Sequence, residues 1–219
     1  MALTHSDHPE YDIPEDYFIG VDLGQVQDYT AIVTLEGLVY RNHYKVTGLE
    51  RMRSIDYVAV IKRVEDILNT PPICWGNIHL VVDRTGVGRP IVDMMFKHNL
   101  NPVGISITGG DKPTHEYLND WKTRQAATVP KRDLGFNLAL MIQNKELKVL
   151  NSLPLAQVLA TEMQNMTVKI NSRTGTDSYG AEKAGEHDDL TLALCLAAWW
   201  SQNKPKPTYL TPTIRTGIR

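Results

Sequence analysis

The chain has 219 residues, 42% hydrophobic and 22% charged, enough for one sizeable core and unlike a low-complexity or collagen-like composition. Its formal net charge of −2 provides no global basic field, so any contact with a polyanion has to be local. Two cysteines make no disulfide framework, the polar start is unlike a signal peptide, and the longest apolar run, Leu190 to Trp200, is too short to span a bilayer. No membrane association is expected, and a reducing cytoplasm is the expected compartment.

Residues 1–16 carry His, Asp, Pro and Glu with little periodic apolar content and read as a flexible lead-in. The run YFIGVDLG, from Tyr17, is a short apolar strand ending at a Gly turn. YTAIVTLEG and LVYRNHYKV follow as two strands, with Glu36–Gly37 as a tight connection, giving an antiparallel three-strand meander. Ile55, Val58, Ile61, Val64, Ile67 and Leu68 recur at helical spacing behind Ser54 as cap, and Pro71–Pro72 stop that helix. IHLVVD is a strand buried on both faces, followed by a loop, DRTGVGRP, a helix around Ile91 to His98, and the strand PVGISIT.

Residues 109–130 read as irregular and polar. Helices are expected from Leu134 to Gln143 and from Leu155 to about Met166, then a β-hairpin, then a last helix starting at Glu186–Asp189 whose Leu190, Leu194 and Ala197 or Ala198 face the core. The tail from 202 to 219, rich in Lys, Pro and Thr, is expected to be mobile, leaving 17–201 as the folded domain. Strand, helix, strand, helix after a meander indicates an α/β fold: a mixed sheet with helices on both faces and an added hairpin before the last helix.

Three acidic positions stand out. Asp22 and Asp83 each close an apolar strand, and in open α/β sheets sites form at the carboxyl ends of strands. A carboxylate there is costly unless paired or bound to a cation, although Asp22 also suits a turn before Gly24. His187–Asp188–Asp189 leads into the last apolar helix; one Asp satisfies capping, and a second beside it calls for a cation. Such an inventory of hard oxygens suits a two-metal phosphoryl-transfer site, with Mg²⁺ or Mn²⁺ ions about 3.5–4 Å apart. The TGVGRP loop resembles a phosphate cradle but lacks the Lys-Ser/Thr ending of a Walker A loop, and no other segment supplies one.

Strand-Asp, meander, second strand-Asp and a carboxylate on a late helix resemble the ribonuclease H-like superfamily. More narrowly, GVDLGQVQDYTAIV, VVDRTGVGRPIVDMM and EHDDLTLALCLAAWW resemble, in order, three motifs of the nuclease domain of phage and prophage large terminase subunits, over roughly residues 17 to 201. That resemblance implies a Mg²⁺- or Mn²⁺-dependent endonuclease acting on double-stranded DNA in genome packaging, alongside a packaging ATPase, a small terminase subunit and a portal. It implies Asp22, Asp83 and one or both of Asp188 and Asp189 as catalytic metal ligands. His187 is then a ligand, a residue orienting one, or a helix cap.

Sequence-independent contacts to DNA are expected from Arg84, Arg89, Lys122, Arg124, Arg173 and Lys183, with Lys112 and Lys131–Arg132 as further cations and Tyr117 and Trp121 as stacking surfaces. The competing readings are a Holliday-junction resolvase, weakened by Leu192 where a further helix carboxylate would sit, and a non-catalytic DNA clamp. GVDLGQ alone also resembles the first phosphate motif of actin/Hsp70-type ATPases, a reading the short chain disfavours. The isolated chain is expected to be monomeric.

Overall fold

The computed structural model describes residues 16–24, 29–38, 42–53, 56–119, 123–165 and 188–205, together with the backbone of 167–170 and 177–180. Strands β1 (Asp16–Asp22), β2 (Thr30–Leu38) and β3 (His43–Met52) form an antiparallel meander. Beside β1, β4 (Asn77–Asp83), β5 (Val103–Thr108) and β7 (Gln125–Pro130) run parallel, with β6 (Thr114–Tyr117) antiparallel at that edge. At the opposite edge β8 (Leu147–Val149) pairs with β3. The order of this eight-stranded sheet is β6-β7-β5-β4-β1-β2-β3-β8, and β9 (Thr167–Ile170) and β10 (Asp177–Gly180) form a separate hairpin.

Alternation along β1 divides the core between the two sheet faces. Tyr17, Ile19 and Val21 pack with Val60, Ile61 and Val64 of α1 (Tyr57–Leu68) and with Met95 of α2 (Gly88–Lys97). Phe18 belongs to the other cluster, with Leu138 of α3 (Lys131–Gln143), Leu159 of α4 (Ala156–Asn165) and Leu194 of α5 (Asp189–Asn203). Covered on both faces, β1 is apolar almost throughout.

Helix α5 is buried on all sides: every residue from Asp189 to Ser201 except Leu192 is inaccessible. It lies between the sheet, where it meets β1, β2 and β4, and helices α3 and α4. That explains why its sequence is apolar all round rather than amphipathic. Its approach to β1 requires Gly20, where a Cβ would run into the backbone carbonyl of Ala193. Just beyond α5, Lys204 Nζ meets Asp16 Oδ2 at 3.0 Å and His79 Nε2 at 3.1 Å, tying the helix end to β1 and β4.

Four local expectations change. Glu36–Gly37 is not a turn: both residues lie inside β2, which runs on to Leu38, where Gly37 leaves room for the rings of Tyr44 and Phe18, and Asn42, at φ 50°, precedes β3. Helix α1 starts at Tyr57, not after Ser54; Asp56 is its cap, its carboxylate accepting from Val58 N–H at 3.0 Å. Residues 109–130 are not irregular throughout but contain β6 and β7, the latter burying Ala126, Ala127 and Val129. Finally, β8 adds an edge strand.

Candidate metal centre

Asp22 is the last residue of β1 and Asp83 the last of β4. Val21 pairs with Val82 in parallel register, so the next residue on each strand brings these two carboxylates side by side. The chain after Asp22 is clamped: Gly24 N–H donates to Thr30 Oγ1 at 3.2 Å, and the Tyr57 hydroxyl donates to the Gly24 carbonyl at 3.3 Å. Asp83 is held by its own loop. Its Oδ1 accepts the Thr85 N–H at 2.7 Å, and Gly88 packs so closely on the Asp83 carbonyl that a Cβ there has no space. Gly86 supplies the positive φ, 56°. The amides of Thr85 and Gly88, two that a phosphate cradle would offer, are spent inside the loop on Asp83 and on the Thr85 carbonyl. The glycine loop here serves to fix Asp83.

The third corner is the head of α5. Asp188 occupies the N-cap position, yet its side chain makes no capping hydrogen bond. The cap comes from elsewhere: Glu162 of α4, buried, accepts the Thr191 N–H at 3.0 Å. Capping therefore does not account for Asp188. Its Oδ2 instead meets Lys131 Nζ, at the start of α3, at 3.2 Å. Asp189 Oδ2 accepts from Arg51 Nη2 of β3 at 2.7 Å.

The charges of these four groups act on one another. Burial, then the charges of Asp83, Asp189 and Asp188 in that order, push the Asp22 carboxyl well above the usual aspartate range, with Lys131 opposing. Burial also raises Asp83, partly offset by its hydrogen bonds from Thr85 and by Lys131. Among the described residues, these four carboxylates face two cations, Lys131 and Arg51. Among the described residues, no three acidic, His or Cys side chains already surround one point. Asp188 and Asp189 instead face their basic partners. Among the described residues the donor set is nonetheless that of a hard divalent cation: carboxylate oxygens, outnumbering the two cations beside them. A cavity of about 600 Å³ lined by Val149, Leu153, Leu159 and Met163 contains none of these acids.

The basic residues divide differently. Arg89 is exposed on α2. Arg84 pairs with Glu116 at 2.9 Å and lies over Gly104, while Arg124 is exposed with its guanidinium 4.4 Å from the Phe96 ring centre. His187, Trp121, Lys122, Arg173 and Lys183 lie outside the described residues. Sequence reading missed Arg51 and Glu162 altogether, and weighed Lys131 only as a DNA contact. No local signal marks the first two: Arg51 sits among charged strand residues, and Glu162 looks like a surface helix residue until α5 packs against it.

Sheet order, strand-end acids and the capping helix together define a ribonuclease H-like α/β domain. No protein-family model and no curated protein sequence match the chain. Among solved structures, it resembles the large terminase nuclease of the thermophilic phage G20c, with 22% identity over 85% of this chain and 81% of that one and a TM-score of 0.60. The nuclease domain of the human cytomegalovirus terminase, from Mn-soaked crystals, gives 15% identity, 89% and 86% coverage, and 0.54. The bacteriophage HK97 large terminase gives 14% identity and 0.56, over 86% of this chain but 40% of that one. At these identities the likeness establishes the fold: that of large-terminase nuclease domains.

Proposed function

We propose that this chain is a divalent-metal-dependent endonuclease that cuts double-stranded DNA in viral genome packaging. One observation carries the reading: Asp22 is crowded by Asp83, Asp188 and Asp189 at the carboxyl end of the central strands, an arrangement that costs stability unless cations enter it. The G20c nuclease also occurs with bound magnesium, which supports the same cation class here.

Asp22, Asp83 and Asp189, with Asp188 beside them, would hold two Mg²⁺ or Mn²⁺ ions. Bound there, such ions would supply an activated water and charge stabilisation for the leaving oxygen. The chain's own contribution is geometric. The Thr85–Gly88 loop fixes Asp83, the Thr30 and Tyr57 contacts fix the chain beyond Asp22, and α5, locked in the core, presents the third corner. Asp188 and Asp189 are both carried as ligands, each of them now facing a basic partner. Lys131, one-third exposed, is placed to meet a phosphate oxygen once cations neutralise Asp188. Arg89 and Arg124 would track the duplex backbone without reading sequence. Arg84 would first have to leave Glu116. Lys122, Arg173 and Lys183 are further proposed DNA contacts, and His187 keeps the roles the family resemblance implies.

A packaging ATPase, small subunit and portal are the partners this reading implies, in the host cytoplasm; among the described residues no helix is long and apolar enough to cross a membrane. Plasmid nicking with Mn²⁺ or Mg²⁺ tests the activity. The unmodified protein is expected to nick, and Asp83→Ala and Asp189→Ala to abolish nicking. An intact plasmid with both metals, or unaffected variants, rejects the proposal.

A further inference from the structure

The head of α5 is gripped by a chain of three charged residues from three elements. Arg51 Nη2 lies 2.7 Å from Asp189 Oδ2 and 3.4 Å from Glu162 Oε1. Its guanidinium stacks over Tyr29, 4.4 Å from the ring centre, and its side chain is only 16% exposed. Glu162 turns its other oxygen to the Thr191 N–H. Two atoms in this chain are left over. Arg51 Nε and Glu162 Oε1 are both buried and neither has a hydrogen-bond partner. A donor and an acceptor orphaned side by side are each costly, and they are complementary.

We infer that Arg51 is a positioning residue with two berths, Asp189 and Glu162, and that a divalent cation arriving at the aspartates moves it from the first to the second. This rests on reading the four aspartates as a cation site. In the first berth, the one seen, Arg51 neutralises Asp189 and leaves its own Nε and Glu162 Oε1 without a hydrogen bond, Oε1 having only the looser 3.4 Å ion pair to Nη2. In the second, the planar fork turns wholly onto Glu162, giving both orphaned atoms a partner and releasing Asp189. Because Arg51 already lies within 3.4 Å of Glu162, the shift is small. Glu162 therefore has two duties: it caps α5, and its charge sets how readily Arg51 gives up Asp189.

Opposite responses of two variants separate this from a merely structural role. Glu162→Gln keeps the shape and a carbonyl that can cap Thr191 but removes the second berth, so the Mn²⁺ dissociation constant, measured by calorimetry without DNA, rises about threefold or more. Arg51→Gln removes the competitor and lowers that constant by about as much. In an Arg51→Gln background, Glu162→Gln has no further effect on Mn²⁺ binding. Shifts in the same direction, or none, overturn the inference. Should Arg51→Gln fail to fold by circular dichroism, Glu162→Gln decides alone: a raised constant supports the two berths, an unchanged or lowered one overturns them. The cation-site reading has its own control. If the unmodified protein binds no Mn²⁺, or Asp83→Asn binds it as tightly, the site itself fails and the berths with it. If Mn²⁺ binding is present and Asp83-dependent while the two variants shift alike, only the role of Arg51 fails.

Discussion

Asp22→Asn should make the metal-free protein more stable, although it removes a residue on which the proposed activity depends. Asp22 and Asp83 end adjacent parallel strands, about 4.8 Å apart. Two unit charges at about 5 Å repel by about 3 kcal/mol at an effective dielectric of 20. Lys131 offsets part of this, so a net gain of about 1–2 kcal/mol is expected. For a chain of this length that is about 3–6 °C in Tm. The pH dependence has a definite sign. A carboxyl raised in the folded state binds its proton more tightly there than in the unfolded chain. Its contribution to stability is therefore full in acid and lost as pH rises through the folded value. The advantage of Asp22→Asn should be small at pH 4 and larger at pH 8. Thermal unfolding in chelator at the two pH values, followed by circular dichroism, checks it. Adding Mn²⁺ should reverse the order, stabilising the unmodified protein and not the variant. A variant no more stable than the parent at pH 8 in chelator, or equally advantaged at pH 4, would refute the picture of a frustrated acid cluster.

Further perturbations probe the scaffold. Gly20→Ala, which drives a methyl into the Ala193 carbonyl, should cost about 3 kcal/mol in urea denaturation and weaken Mn²⁺ binding, because α5 carries two of the acids. Cys195 is fully buried, with its thiol pushed up to about 12 chiefly by burial, whereas Cys74 is exposed. A thiol reagent at pH 8 should therefore modify one cysteine in the native protein and two in denaturant. Arg89→Ala should leave Tm within about 1 °C while lowering affinity for duplex DNA and flattening its salt dependence, read by fluorescence anisotropy.

Much of the scaffold was legible because its signals are local. Asp22 and Asp83 follow unbroken apolar runs, and α5 announces itself by being apolar all round, the mark of a helix enclosed by other elements. Other features depend on contacts that no local pattern carries. Gly37 looks like a turn until the rings of Tyr44 and Phe18 are seen to need its missing side chain. The four residues of β6 are all exposed and show no alternation, so nothing distinguishes them from loop. Arg51 and Asp189 are 138 positions apart, and their pairing exists only because β3 and the head of α5 meet across the fold. Sequence supplied the acids; the bases and the substitute cap that restrain them came from tertiary structure.

The burial of α5 also has a consequence for how the protein comes into being. Its central strand β1 begins at Asp16, but the helix that covers one face of that strand begins at Asp189. During synthesis, Asp22 and Asp83 emerge before Asp188 and Asp189, which arrive with the last helix of the described core. Closing contacts between such distant positions is slow, and here it is also the step that finishes the hydrophobic interior. A partly made domain thus has exposed apolar surface and lacks two of the four aspartates. On the proposed function, the ability to cut DNA would arise only once α5 has docked onto β1.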